Sequence, residues 1–206
     1  MARWEVLDGS KEEVVTGPMS RSRARLRPPH ERTPSTKARV THTGGTEMQT
    51  ISPFLWFDGQ AEQAAERYVE IFPNSHIVSV ARYGEGAPQP AGTAMSVSFV
   101  LDGVEVQALN GGPLYSFTEA FSFYVNVPDQ AECDRVWDAL IADGGEPGQC
   151  GWLKDQWGLS WQVIPEALPE LLSDPDPGRA GRALNALLTM TKIDVAALHA
   201  AADAAA

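Results

Sequence analysis

The segment Ile51 to Phe57 (ISPFLWF), a turn at Asp58-Gly59 and the tripeptide Gln60-Ala61-Glu62 form an ordered run that the chain repeats. It returns as Phe121 to Val127 (FSFYVNV), a short connection and Gln130-Ala131-Glu132, with the two QAE tripeptides 70 residues apart. Each copy reads as a strand rich in aromatic and β-favouring residues followed by the start of a helix. Three shared letters carry little weight alone. The matched order of elements constrains the fold more, because it describes a chain built from two copies of one module.

The first copy can be followed further. Ala61, Ala64, Ala65, Tyr68, Val69 and Phe72 recur at helical spacing with charged residues between them, so an amphipathic helix runs to Pro73-Asn74. Strands are expected at His76 to Tyr83, Thr93 to Leu101 and Val104 to Leu109, the last two joined by the hairpin signal Asp102-Gly103. The unit is βαβββ. In the second copy Cys133, Val136, Trp137, Leu140 and Ile141 share one helical face, and strands are expected at Gln149 to Lys154 and Leu159 to Ile164. Beyond Pro165 the pattern is helical. Asp176 can cap a helix carrying Ala183, Leu184, Leu187 and Leu188, and Asp194 a last, alanine-rich one. These helices are expected to cover the sheet or a dimer contact.

The first 47 residues differ in kind. Arg21 to Arg39 (RSRARLRPPHERTPSTKAR) holds one large aliphatic residue and three prolines, too little apolar surface to offset the entropy of ordering it. It reads as a disordered extension or as sequence upstream of a start at Met48; Arg21, Arg23, Arg25 and Arg27 as a binding arm is the other reading. Charge divides at the same place. Residues 1–47 carry nine Lys/Arg and six Asp/Glu, whereas residues 48–206 carry seven and 21, a net of −14. A body that acidic is repelled by phosphate backbones and anionic lipid, so neither nucleic acid nor membrane is an expected partner. No apolar run approaches the ~20 residues that cross a bilayer, and no secretory apolar stretch opens the chain. A cytoplasmic location follows as the expectation, with Cys133 and Cys150 as reduced thiols.

Four stretches together carry a resemblance: PFLWFDGQAEQAAERYVEIFPNS, ALNGGP, GQCGWLKDQWGLSWQVIP and LLSDPDP. From about Gln49 to about Ala197 the chain resembles the PhnB-like proteins, often labelled 3-demethylubiquinone-9 3-methyltransferase-like. These belong to the vicinal oxygen chelate (glyoxalase/bleomycin resistance/dioxygenase) superfamily. The resemblance implies an α+β fold of paired βαβββ modules, at about 49–112 and 119–165, with C-terminal helices over 166–203. It also implies curved sheets around a cavity and a homodimer. The superfamily's metal enzymes place His or Glu side chains at four inward strand positions, which fall here near Ser52, Gln107, Ser122 and Gln162. Two hydroxyls and two amides do not suit Zn, Fe or Ni, which want imidazole, thiolate or carboxylate. A metal-free protein without a cofactor is the expectation. The methyltransferase label finds no support either, since Gly111-Gly112 and Gly144-Gly145 lack the strand-to-helix setting of a cofactor loop.

Within this frame the residues worth weighing are few. Trp152, Trp157 and Trp161 crowd one stretch, and Trp56 sits on the first strand. Indole N–H groups want partners, so Trp56 and Trp152 suit either a cavity wall or the core. By alternation Ser160 and Gln162 face inward while Trp161 packs behind the sheet. Inward amides at Gln107 and Gln162 need partners, which a polar ligand or each other could supply. Asn110 either offers its amide to a ligand or holds the turn. Cys150 is the candidate nucleophile, with Lys154 four residues on, against a reading as a small buried thiol. Cys133 reads as core. The expected function is binding of a small planar or partly aromatic molecule by a homodimer, through Trp56, Gln107, Asn110, Ser122, Trp152 and Gln162. The alternatives are an enzyme of unknown reaction using Cys150 or Lys154, or, were the strands misplaced, a metal-dependent lyase or dioxygenase.

Overall fold

The structure, a computed structural model, describes residues 51–204. The expected extension at 1–47 and the first residues of the domain, Met48 to Thr50, lie outside the described residues. In the first module β1 (Phe54–Phe57), β2 (His76–Arg82), β3 (Ala94–Leu101) and β4 (Val104–Asn110) form one sheet in the order β1-β4-β3-β2. Helix α1 (Ala61–Ile71) follows β1, which pairs parallel with β4; the other pairs are antiparallel. In the second module β5 (Ser122–Val127), β6 (Glu146–Pro147), β7 (Trp152–Lys154) and β8 (Ser160–Pro165) repeat the plan as β5-β8-β7-β6. Helix α2 (Gln130–Ile141) follows β5, and β5 runs parallel to β8. The repeat extends to register. Phe54 lies level with Gln107, and Tyr124, 70 residues after Phe54, lies level with Gln162. The α+β architecture of paired βαβββ units is the one expected.

Two expected elements differ. The first strand begins at Phe54 rather than Ile51. Proline has no N–H to give, and ladder bonding starts where the Gln107 N–H donates to the Pro53 carbonyl at 2.9 Å; Ile51 is 87% exposed. The stretch Gln149 to Lys154, expected as one strand, is a turn leading into the short β7, with β6 preceding it. Cys150 and Gly151 have φ of +58° and +84°, a left-handed conformation that a strand does not hold. Strand β6, ahead of the turn, is the third strand after the helix that the second module lacked on paper.

One face of each sheet is buried. Leu55, Phe57, Val97, Phe99, Val106 and Ala108 pack with Ala61, Ala64, Ala65 and Tyr68 of α1, while Leu153, Trp161 and Val163 pack with Cys133, Val136 and Trp137 of α2. These form one core, because α1 reaches both sheets: the Tyr68 ring meets the edge of Trp161 at 5.1 Å and Phe72 stacks on Trp161 at 5.4 Å. Trp161, fully buried, lies behind its sheet as alternation required. Asp129 caps α2 by accepting from the Glu132 N–H at 2.9 Å, an interaction worth about 1 kcal/mol. Helix α1 has no cap of its own; Asn110, at the end of β4, accepts from the Ala61 N–H instead, at 2.8 Å.

The C-terminal helices α3 (Ala167–Leu172), α4 (Pro177–Leu187) and α5 (Val195–Asp203) enclose a second cluster that includes Ile164 of β8, Leu168, Leu187, Ile193 and Leu198. Asp176 and Asp194 cap α4 and α5 as their positions predict. Main-chain bonds join this layer to the sheet, from Cys150 N–H to Met190 O at 2.8 Å and from Gly151 N–H to Thr191 O at 2.7 Å. Gln130 adds a side-chain tie, donating to Ile193 O and accepting from the Val195 N–H. Among the described residues no helix is long and apolar enough to cross a membrane.

Candidate functional site

The face of the second sheet turned away from α2 carries two cross-strand rows. Ser122, Ser160 and Lys154 lie level across β5, β8 and β7, with Glu146 of β6 level with Lys154; Tyr124, Gln162 and Trp152 form the next row. Side chains in such rows are immediate neighbours. Over them opens a cleft of about 600 Å³ lined by Trp152, Lys154, Ser160, Cys150, Glu146 and, from the connection between β4 and β5, Glu119. Lys154 Nζ is ion-paired with Glu119. The bond to the ammonium holds the Glu119 carboxyl below the usual carboxylate range and lifts Lys154 above the usual lysine value. Gln162 donates to Ser122 Oγ at 2.9 Å. Ser160 is the exception in its row: its hydroxyl is buried and has no hydrogen-bond partner. Leaving such a group unmatched costs about 1–3 kcal/mol. Cys150 is half-buried at the rim, its Sγ 3.5 Å from Leu187 O.

The remaining expected residues sit on the first sheet and are engaged within the chain. Gln107 accepts from the Ser98 hydroxyl at 2.6 Å, so the two inward glutamines bond serines of their own sheets and not each other. Asn110 uses both ends of its amide, accepting from Ala61 N–H and donating to Ala94 O at 2.9 Å. Trp56 donates its indole N–H to Gly112 O at 2.8 Å and meets Tyr115 edge-on at 5.0 Å. Its ring lies across Gly111, where a Cβ would fall 2.2 Å from the indole; Gly112, at φ +81°, serves conformation instead of space. Trp56 therefore borders a separate hollow with Phe54, Phe117 and Phe121. The structure brings together Trp152, Lys154 and Cys150, sets Ser122 and Gln162 beside them, and keeps Trp56, Gln107 and Asn110 apart.

The four places where related metal enzymes carry ligands can be tested for fit. Phe54 is level with Gln107 and Tyr124 with Gln162, so Ser52 and Ser122 each stand two residues before that level, on the same face. The positions correspond between modules, yet they offer hydroxyls and neutral amides, and three of the four already hydrogen-bond within the chain. Among the described residues no three His, Cys, Asp or Glu side chains gather as a metal site would require. The residues do not fit a divalent cation.

Sequence reasoning missed Asp155. In the turn between β7 and β8, and 4% exposed, it accepts from Tyr68 OH at 2.6 Å, Trp161 Nε1 at 2.9 Å, Trp157 N at 2.9 Å and Leu159 N at 3.1 Å. Burial pushes its pKa up against the pull of those donors, and burial with the neighbouring carboxylate pushes Tyr68 well above the usual tyrosine value. Its Tyr68 partner lies 87 residues away on α1, beyond the reach of local sequence patterns. Cys133, fully buried, has its thiol pKa pushed up to about 11 by that burial and is a core residue.

Two βαβββ units, each with a four-stranded sheet in which the first strand runs parallel to the last of its module, define a protein of the glyoxalase-like, vicinal oxygen chelate class. Within that class the chain belongs to the family described as 3-demethylubiquinone-9 3-methyltransferase, whose model matches residues 49–164. Among solved structures it is similar to the PhnB protein of Bacillus cereus, with 35% identity and a TM-score of 0.53 over 57% of this chain and 99% of that one. Protein PA1353 of Pseudomonas aeruginosa matches at 23% identity and a TM-score of 0.48, covering 58% of this chain and 98% of that one. The fosfomycin resistance protein FosX of Mesorhizobium loti matches at 13% identity and 0.43, covering 63% and 100%. No curated protein matches the chain in sequence.

Proposed function

We propose that this protein binds a small planar or partly aromatic molecule in the cleft over the second sheet, without a metal, as a homodimer. The observation that carries the reading is the cleft itself. Its volume of about 600 Å³ lies within the usual range for small-molecule sites, and it combines an indole wall at Trp152 with the convergent polar groups of Lys154 and Ser160. Ser122 and Gln162 in the adjoining row supply further polar atoms, and the free thiols of Cys133 and Cys150 suit a reducing, cytoplasmic setting. The test is titration of the purified protein with planar aromatic compounds, followed by tryptophan fluorescence. Saturable quenching is expected, with Trp152→Ala weakening binding at least about tenfold, the scale on which an aromatic wall contributes. Binding that ignores Trp152→Ala would remove the cleft from the reading.

A second reading makes the protein an enzyme whose reactive group is Cys150 or Lys154, since both line the same cleft. Cys150→Ala separates the two: binding should survive it, whereas turnover through the thiol should not. The methyl transfer named in the family's description draws no support from the strand-to-helix connections, Asp58 to Gln60 and Pro128-Asp129, which lack a glycine-rich loop. The homodimer is favoured by the open sheet faces, where Phe54 is 62% and Tyr124 51% exposed. Aromatic side chains are enriched in the cores of such interfaces, so these two rings are where a partner copy would seat.

A further inference from the structure

We infer that Glu119 is a built-in stand-in for a ligand carboxylate, so that the cleft over β7 and β8 selects planar aromatic carboxylates and releases Glu119 to admit one. The inference rests on the reading of that cleft as the ligand site and names the class of molecule it takes.

The argument starts from how Glu119 is held. Lys154 belongs to a strand and its place is set by the sheet, level with Ser160 on one side and Glu146 on the other. Glu119 belongs to no strand. It arrives from the connection between the modules, its side chain is 63% exposed, and it is joined to the cleft through Lys154. An ion pair in that setting is weak and exchanges readily, because water rehydrates the departing carboxylate. The pair also leaves the site half matched. Glu119 satisfies the ammonium, while the hydroxyl of Ser160, next to Lys154 in the row, is buried without a partner. A carboxylate entering along the sheet can accept from Lys154 with one oxygen and from Ser160 with the other. Trp152 in the neighbouring row then presents its ring to the planar remainder of the molecule.

Charge favours the exchange. With Glu119 and Glu146 both at the cleft, a third carboxylate added to the resting pair meets two like charges around one ammonium. Replacing Glu119 leaves the local charge as it was. A cationic ligand would be drawn to the glutamates, but at the place beside Ser160 it would meet the like charge of the Lys154 ammonium.

The test is calorimetric titration of the full chain with three probes of one shape: 1-naphthoate, 1-naphthamide and 1-naphthylmethylammonium. The carboxylate is expected to bind about tenfold more tightly than the amide, the scale of one charge-assisted hydrogen bond, and the amine weakest. Lys154→Gln should cancel the preference for carboxylate. Glu119→Gln should tighten naphthoate about two- to fivefold while leaving naphthamide unchanged, and Glu119→Ala should repeat the gain. Ser160→Ala should weaken naphthoate more than naphthamide. Naphthoate binding that Glu119→Gln weakens or leaves unchanged overturns the stand-in, as does tighter binding of the amine. Failure of all three probes to bind overturns the cleft as the ligand site, a result distinct from equal binding of amide and carboxylate, which overturns only the present inference.

Discussion

Ser160 and Gly111 show how differently single residues contribute here. Gly111 is glycine because the Trp56 indole occupies the space where a Cβ would go. Ser160 has no such reason within its own chain, where its hydroxyl is a buried group without a partner. Replacing it by alanine removes an unmatched polar atom and little volume, so Ser160→Ala is expected to raise stability by about 1 kcal/mol, read as a higher urea midpoint at unchanged slope. Most substitutions at buried positions do the reverse. A lower midpoint would mean that the hydroxyl is satisfied and would take away one support for ligand binding at this place. Cys150 is a third case: a non-glycine residue at φ +58°, held by a main-chain bond to Met190, with its own thiol 3.5 Å from the Leu187 carbonyl.

At the level of elements, α1 and the turn between β7 and β8 are joined by the bond from Tyr68 to Asp155. Tyr68→Phe removes a donor from a buried carboxylate and is expected to cost about 1.5–3 kcal/mol near neutral pH. The pH dependence has a defined sign. Burial raises the folded-state pKa of Tyr68 above the value of about 10 for an exposed tyrosine, so the stability it confers is complete below about pH 10 and falls as pH rises toward the folded value. The difference between wild type and Tyr68→Phe should therefore shrink above about pH 10; a gap constant with pH would show that Tyr68 ionises as freely as in water. None of this was legible in the sequence, because the hydroxyl and the carboxylate belong to different modules. What could be read was local. Period-two and helical spacing marked β2 to β5, α1 and α2 to within a few residues, and Asp176 and Asp194 stood where caps belong. The stretch before Trp152 was misread because left-handed residues at Cys150 and Gly151 break an otherwise strand-like composition. In the site, alternation set Ser160 and Gln162 on one face correctly. No periodicity pointed to Glu119, which reaches the cleft from a connection and not from a strand.

At the level of the whole molecule, each sheet buries one face against a helix and leaves the other open, with Phe54 and Tyr124 on those open faces. Association through them is the proposed arrangement. Sedimentation equilibrium should return twice the mass of the chain, and Phe54→Glu should shift it to the monomer, since burying an unpaired carboxylate in an apolar contact costs several kcal/mol. A wild-type chain that sediments as a monomer at micromolar concentration would end that proposal.

A protein made from a repeated unit has, in principle, the freedom of a pair of beads: one half can come undone while its neighbour keeps its shape. Here the carboxylate of Asp155 gathers donors from both halves, and the ring of Tyr68 lies against Trp161 beside it. Loosening either half strands a polar group in the other, so a half-melted molecule has no sheltered state to occupy. Heating followed at once by far-UV dichroism and by tryptophan emission should trace a single curve. In thermal behaviour the repeat is invisible, and the ancestry written in the sequence no longer divides the molecule.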